Sequence, residues 1–104
     1  MQLRKRPQAV SDLQEAAWYL LEQQNEALAL RFLSAAESSF KKISEMPTLG
    51  APYQPNNKRL GELRTWLVKG FEVYVIVYRV TAEYVEVIRV LHGARRWQDL
   101  VDDE

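Results

Sequence analysis

The sequence predicts an α+β fold in which an N-terminal helix hairpin packs on one face of a small, mainly antiparallel β-sheet. Up to about residue 45, apolar side chains recur at every third or fourth position, which is typical of helices that bury one face. From residue 62 the period becomes two and β-branched residues dominate, which indicates strands. Because 104 residues suffice for one hydrophobic core, we expect residues 1–104 to form a single domain.

The first half of the chain predicts the order β-α-α. The segment QLRKR is expected to be a short edge strand, whose basic side chains discourage pairing with another chain. The first helix begins either at Pro7, which suits a first turn, or at Ser11, which would form a capping box with Gln14. Asn25 is the expected N-cap of the second helix, which ends at MPTLGAP and is followed by an irregular loop at 53–61. The apolar face of the first helix is expected to comprise Val10, Leu13, Ala17, Leu20 and Leu21.

Three consecutive strands are predicted in the second half: ELRTWLV at 62–68, FEVYVIVYRV at 71–80 and YVEVIRVLH at 84–92. The connections between them are short enough for hairpin turns, so the strands should be antiparallel neighbours. The middle one is almost entirely apolar, so it should lie at the centre of the sheet. A short helix around Arg96 to Val101 would close the chain. The full order is therefore β-α-α-β-β-β, with this short C-terminal helix.

The composition excludes several classes of function. The chain has no cysteine, which excludes disulfides and thiol chemistry, and its single histidine argues against a transition-metal site. We expect no cofactor. No stretch approaches the roughly 20 apolar residues that a membrane helix needs, and the N-terminus MQLRKRP lacks the apolar run of a signal peptide. The expected location is the cytoplasm, without contact with a membrane.

Charge is unevenly spread although the net charge is zero. Residues 7–55 carry three basic and six acidic side chains, whereas residues 56–97 carry eight basic and four acidic ones. The strand-rich half is therefore basic. Such a surface would face an anionic partner, either nucleic acid or an acidic protein segment. The alternative is solvated charge without a partner.

Arginines on the predicted strands are candidate anion-binding residues. The helix hairpin covers only one sheet face, so Arg64, Arg79 and Arg89 would converge on the other, where guanidinium groups bind phosphate or carboxylate. Alternatively, each arginine pairs with a nearby acid, such as Glu62, Glu72 or Glu86. Trp66, on the same strand face as Arg64, either packs across strands or stacks on bases. Strict alternation would place on one face of the last strand Val85, Val87, Arg89 and Leu91.

His92 stands in the segment RVLHGARRW, where a predicted strand ends before a glycine. As a general acid or base, it would act beside arginines that stabilise a pentavalent phosphate. As a structural residue, it would donate a hydrogen bond to a strand-end carbonyl or a carboxylate. Residue type alone leaves both interpretations open.

Taken in order, these segments resemble the RelE/ParE superfamily of bacterial toxins from type II toxin–antitoxin systems. The stretches that carry the resemblance are RPQAVSDLQEAAWYL, ALRFL, MPTLGAP, LRTWLVKGFEVYVIVYRV and VEVIRVLHGARR, and together they cover nearly the whole chain. The last of them, in which a strand runs into His-Gly-x-Arg, is similar to the ParE branch. RelE-like members are ribosome-dependent endoribonucleases, whereas ParE-like members poison DNA gyrase.

One departure from the nuclease pattern favours the ParE branch. In that pattern an arginine stands three residues before the central-strand tyrosine, and here Val75 stands three residues before Tyr78. The resemblance thus implies a toxin that inhibits DNA gyrase by binding it and does no covalent chemistry. A cognate antitoxin would neutralise it in a hetero-oligomer by laying an extended or helical C-terminal segment across the exposed sheet and the helix-hairpin groove.

Two alternatives remain open at this point. The chain would otherwise be an mRNA endoribonuclease acting on the ribosome with Arg64, Arg79, Arg89 and His92, or a degenerate member that only binds an antitoxin. The residues expected to contact a partner are Arg64, Trp66, Arg79, Arg89, His92, Arg95, Arg96 and Trp97.

Overall fold

A computed structural model describes residues 1–23 and 26–104, which form a helix pair packed on a mixed five-stranded sheet. The elements in chain order are β1 (Gln2–Lys5), α1 (Pro7–Gln23), α2 (Glu26–Glu45), β2 (Ala51–Tyr53), β3 (Leu63–Val68), β4 (Phe71–Val80), β5 (Tyr84–His92) and α3 (Trp97–Asp102). Single 3₁₀ turns occupy Pro47–Leu49 and Lys58–Leu60. The predicted α+β class is confirmed, including the short C-terminal helix.

The two long helices bury one face each against the sheet. α1 begins at Pro7, so the alternative start at Ser11 is wrong, and the predicted cap Asn25 lies outside the described residues. The buried stripe of α1 differs from the expected one because Val10 and Leu21 are exposed. Together with α2, it contributes to the core Ala9, Leu13, Ala16, Leu20, Ala29, Phe32, Ala36, Phe40 and Ile43. No helix among the described residues is long and apolar enough to cross a membrane.

The sheet has the strand order β1-β5-β4-β3-β2. The predicted meander is confirmed, because β3, β4 and β5 pair as antiparallel neighbours with β4 at the centre. β1 is the predicted edge strand, and it pairs in parallel with β5 from Gln2↔Tyr84 to Lys5↔Val87. The N-terminal strand β1 therefore lies beside β5 at one edge of the sheet.

β2 is a strand that the sequence analysis did not identify. Its three residues pair with Leu63, Arg64 and Thr65 of β3 at the edge of the sheet. Pro52 at its middle was interpreted only as the end of a helix, whereas an edge strand tolerates proline because one of its sides needs no N–H donor. The predicted irregular loop at 53–61 is partly ordered, since Tyr53 belongs to β2 and Lys58–Leu60 form a 3₁₀ turn.

A bulge in β5 overturns the strict alternation expected for this strand. Val77 is opposite Arg89 while Tyr78 is opposite Val87, so Ile88 is an extra residue. As a result Val85, Val87 and Val90 face the helices, whereas Ile88 and Leu91 join a second apolar cluster. That cluster lies on the other sheet face, and α3 helps to cover it; its buried members are Leu60, Leu63, Val75, Val77, Ile88, Leu91 and Val101.

Candidate functional site

Arg89 and Asp12 form a largely buried bidentate ion pair that joins β5 to α1. Arg89 Nε lies 2.8 Å from Asp12 Oδ2 and Arg89 Nη2 lies 3.0 Å from Oδ1. Oδ2 also accepts the backbone N–H of Val90 at 2.9 Å, at the β5 edge beyond the reach of β1. The hydrogen bond with Asp12 raises the pKa of Arg89 above its ordinary value, despite burial. This guanidinium is thus committed to a carboxylate of its own chain.

Glu86 forms ion pairs with two further arginines close to the Arg89–Asp12 pair. Its carboxylate receives Arg79 Nε at 2.6 Å and lies 3.4 Å from Arg6 Nε. Burial alone would raise the pKa of Glu86, but the hydrogen bonds and charges of Arg79 and Arg6 lower it below its ordinary value. Glu104 then links Arg6 to Arg89, at 4.0 and 3.3 Å. We call Arg6, Asp12, Arg79, Glu86, Arg89 and Glu104 the β5 ion-pair network.

Arg64 is not part of this network. Its Nη1 donates to the carbonyl oxygens of Thr48 at 3.2 Å and Gly50 at 2.8 Å, beside the 3₁₀ turn. Arg64 is opposite Tyr78, a member of the helix-side core, whereas Arg79 is the next residue along β4 and points to the other face. The structure therefore brings Arg79 and Arg89 together and leaves Arg64 on the opposite face. Trp66, half-buried, packs against the helix-side core.

His92 is the last residue of β5 and forms part of a turn. Its Nδ1 accepts the backbone N–H of Ala94 at 3.1 Å, and its ring stands edge-on to Tyr74 with centroids 5.2 Å apart. The structural interpretation expected His92 to donate a hydrogen bond, whereas Nδ1 accepts one. The imidazole thereby fixes the Gly93–Ala94 turn through its Nδ1 atom.

A cleft of about 410 Å³ lies between α1 and the end of β5. His92, Tyr74, Tyr19, Glu15 and Arg95 supply its polar groups, with Asp12 and Arg89 at its base. Burial and the neighbouring Tyr19 raise the pKa of Tyr74, while Arg95 opposes this rise. In the described part of the chain, no carboxylate lies within 4.0 Å of the Arg95 guanidinium. The cleft therefore brings together one cation, two hydroxyls and the carboxylate of Glu15.

The segment from Arg95 to Trp97 leads into α3. Arg95 and Arg96 are both exposed, and Arg96 pairs with Asp99 at 3.2 Å across one helical turn. Trp97 packs against the second apolar cluster, with its ring centroid 5.1 Å from that of Tyr53 in β2. The tryptophan thus anchors the helix, and the two arginines project from it into solvent.

Sequence reasoning missed three members of the β5 ion-pair network: Arg6, Asp12 and Glu104. Asp12 carried a usable signal, because it stands between the buried positions Ala9 and Leu13 of an apolar helical stripe. The sequence around Arg6 and Glu104 contains no comparable signal, since their ion-pair partners lie far away along the chain. No set of His, Cys, Asp or Glu side chains within residues 1–23 and 26–104 is arranged to hold a metal ion.

Comparison with known proteins agrees with the family resemblance and with the fold. Residues 3–97, from β1 to the start of α3, match a family model described as the ParE toxin of type II toxin–antitoxin system, parDE. A solved structure of the chromosomal ParDE TA system from P. aeruginosa superposes with a TM-score of 0.73, covering 88% of this chain and 95% of that one. Its sequence identity of 16% makes this a likeness of fold. No curated protein matches the sequence.

Proposed function

The chain belongs to the ParE toxin family of type II toxin–antitoxin systems, and from this premise we propose that it inhibits DNA gyrase by protein–protein binding. It acts in the cytoplasm, and a cognate antitoxin neutralises it by forming a complex with it. The protein carries out no covalent step of its own in this proposal. The observation that carries the choice between binding and catalysis is the pairing of Arg79 and Arg89 with carboxylates.

RNA cleavage would need free cations around a scissile phosphate. Arg79 and Arg89 are each hydrogen-bonded to a carboxylate, and Arg64 lies on the other sheet face against backbone carbonyls. Val75, at the position where the nuclease branch has arginine, is buried in the second apolar cluster. Of the cations expected around His92 in a nuclease, Arg64, Arg79 and Arg89 are thus all engaged within the chain and cannot stabilise a phosphorane, which leaves the exposed Arg95 beside His92. This arrangement supports the binding function over the endoribonuclease alternative.

We assign the contact with gyrase to the segment that leads into α3. Arg95 and Arg96 are exposed cations, and arginine is enriched in protein–protein interfaces. Trp97 and Tyr53 hold the helix on the sheet, so the two side chains project from a fixed base. Such preorganisation reduces the entropy that binding loses.

We assign the contact with the antitoxin to the outer side of the helix hairpin. On α1, Trp18 and Leu21 are 62% and 40% exposed, and on α2, Leu30 and Leu33 are 57% and 37% exposed. Within each helix the two residues are three positions apart and so lie on one side. Exposed apolar residues grouped in this way favour a partner. An apolar helical or extended antitoxin segment would cover them.

The test is DNA supercoiling by purified gyrase, titrated with this protein in the presence and absence of the product of the adjacent gene. Inhibition with accumulated cleaved DNA, reversed by that product, is the expected result. Reversing both charges, Arg95→Glu with Arg96→Glu, should weaken inhibition about tenfold or more. The matched control reverses two exposed cations elsewhere, Lys58→Glu with Arg59→Glu, and should leave inhibition unchanged.

Other outcomes would redirect the assignment. The endoribonuclease function would be established if the protein had no effect on gyrase but cleaved mRNA on ribosomes, and if His92→Ala abolished this cleavage. A protein that binds the adjacent gene product and does neither would be a degenerate member. Each of these results would overturn gyrase inhibition.

A further inference from the structure

The cleft of about 410 Å³ between α1 and the end of β5 has a volume typical of small-molecule binding sites. One wall is α1, which contributes Glu15 and Tyr19. The facing wall comes from Tyr74 in β4, from the end of β5 and from the turn that follows it. Asp12 and Arg89 at the base are bonded to each other, so they are not available to a ligand. We call this site the α1–β5 cleft.

Tyr74 is a buried residue whose hydroxyl group lacks a partner in its own chain. Only 7% of its surface is exposed, and its ring packs against Phe32 on the core side, with centroids 4.8 Å apart. The hydroxyl makes no hydrogen bond with any residue in 1–23 and 26–104, whereas the equally buried Tyr78 hydroxyl makes two. Buried hydroxyl groups are normally hydrogen-bonded. The free hydroxyl of Tyr74 therefore points to a ligand.

The Tyr74 hydroxyl opens into the α1–β5 cleft. No polar side-chain atom of the described chain is both sealed from solvent and without a hydrogen bond, so this oxygen is accessible from the cleft that Tyr74 lines. Burial is the main cause that raises the pKa of Tyr74; the charge of Tyr19 adds to the rise, and that of Arg95 opposes it. Both side chains thus lie close to the hydroxyl, on the cleft side of the ring.

The cleft also holds one unpaired charge of each sign. Arg95 has no carboxylate partner in the described chain, as noted above, and no basic group there lies within 4.0 Å of the Glu15 carboxylate. The two side chains therefore do not pair with each other, although both line the cleft. Elsewhere Lys5 pairs with Glu37 at 3.0 Å, so exposed charges do pair in this fold. Opposite charges that line one cleft without meeting leave room for a ligand between them.

Apolar and aromatic surface completes the cleft. The rings of Tyr19, Tyr74 and His92 line it together with Ala16 and Leu91. Surface of this kind binds the hydrocarbon part of a ligand, and tyrosine rings also attract an ammonium group. The site thus combines apolar walls with a few polar groups, as small-molecule sites do.

We propose that the α1–β5 cleft binds a small zwitterion, namely a free amino acid or a short peptide with an apolar side chain. Its carboxylate pairs with Arg95 and accepts the Tyr74 hydroxyl hydrogen, and its ammonium group pairs with Glu15. A simple anion would be repelled by Glu15, and a simple cation would be repelled by Arg95. The proposal is independent of gyrase inhibition, since it rests only on this cleft.

The experiment titrates isotope-labelled protein with the dipeptide glycyl-phenylalanine and follows the resonances of the cleft residues. Saturable shifts at Tyr19, Tyr74 and Arg95 are expected. Two derivatives of the same dipeptide each lack one charge: the N-acetyl form has no ammonium group, and the C-terminal amide has no carboxylate. Each derivative should bind about tenfold more weakly or worse than the free dipeptide.

Substitutions test each protein group. Glu15→Gln, Arg95→Gln and Tyr74→Phe should each weaken binding of the free dipeptide about tenfold or more. In Glu15→Gln the N-acetyl form should bind as well as the free dipeptide, because no carboxylate remains to meet the ammonium group. The matched control, Glu83→Gln with Arg59→Gln, removes one exposed charge of each sign elsewhere and should bind as the parent does. Circular dichroism checks that all variants fold.

Three results would overturn the proposal. If both derivatives bound the parent protein as tightly as the free dipeptide, the cleft would be an apolar pocket without charge recognition. If only the N-acetyl form did so, the cleft would be a simple anion site. If the free dipeptide caused no saturable shift, the cleft would accept only groups that belong to a larger partner.

Discussion

The Tyr78 hydroxyl accepts the backbone N–H of Gly50 at 2.9 Å and so fixes the chain between α2 and β2 to the central strand. The same hydroxyl donates to the carbonyl of Pro47 at 2.7 Å. A Cβ atom at Gly50 would lie 2.6 Å from this hydroxyl and 2.8 Å from the carbonyl oxygen of Thr65. Glycine is required at position 50 because a side chain would not fit there. The backbone does not require it, since a φ of −67° is open to any residue.

We expect Gly50→Ala to lower the free energy of unfolding by about 1–3 kcal/mol, as overpacking of a filled site does. Urea denaturation followed by circular dichroism measures the change. Gly93→Ala is the control, because its φ also lies outside the left-handed region and the atom nearest to its added Cβ is the Val73 carbonyl oxygen at 3.1 Å. If Gly50→Ala were no more destabilising than this control, close contact with Tyr78 would not be the reason for glycine.

Asp12→Ala should lower the free energy of unfolding by about 3–5 kcal/mol, because it leaves Arg89 without its buried carboxylate and Val90 without its acceptor. Replacing both partners, Asp12→Leu with Arg89→Met, should recover much of the loss. Denaturant unfolding measures each variant. Asp99→Ala removes the exposed partner of Arg96 and should change little. Equal effects at Asp12 and Asp99 would contradict the structural importance of the buried pair.

Glu86 should make stability depend on acidity. Its pKa in the folded protein lies below the ordinary value of 4.5, so the carboxylate contributes stability at neutral pH. At a pH below this ordinary pKa, the unfolded chain binds the proton more readily than the folded protein does. The contribution of Glu86 to stability therefore decreases, and it disappears as the pH falls through the pKa of the folded state. Denaturant unfolding at a series of pH values should show less loss on acidification in Glu86→Gln than in the parent. Parallel curves would contradict the assignment.

His92→Ala should leave growth inhibition by the expressed protein in place, because the proposed function has no catalytic base. The contacts removed are the hydrogen bond from Ala94 and the edge-on packing with Tyr74. The control is His92→Asn, whose side-chain oxygen can still accept the Ala94 N–H. Loss of toxicity in both variants, with the fold intact by circular dichroism, would point to a chemical role for the imidazole.

The parts of the fold that follow local periodicity were predictable from the sequence. The run FEVYVIVYRV predicted β4 and its central position, and Pro7 predicted the start of α1. The sequence analysis did not identify β2, because a strand of three residues with proline at its centre is too short to show an alternation of apolar and polar side chains. The alternation of β5 failed after Val87, because the extra residue Ile88 reverses the face on which later side chains lie.

The candidate site was less predictable, since its contacts join residues that are distant in the chain. The position of His92 at a strand end could be inferred from RVLHG, but its acceptor role depends on the conformation of the following turn. Asp12 and Arg89 are 77 positions apart, so no short motif connects them. The sequence analysis expected Arg64 and Arg79 on the sheet face that the helix hairpin leaves uncovered, whereas the register of β3 with β4 puts them on opposite faces.

The parallel pairing of β1 with β5 has a consequence for biosynthesis. Gln2 leaves the ribosome well before its partner Tyr84 has been made. Closing this long loop costs entropy that is recovered only after β5 has joined the sheet. The helix pair therefore emerges well before the β5 edge, the His92 turn and α3 can assemble. A nascent chain of this design therefore lacks the finished surface around β5 and α3 until both of these elements have left the ribosome.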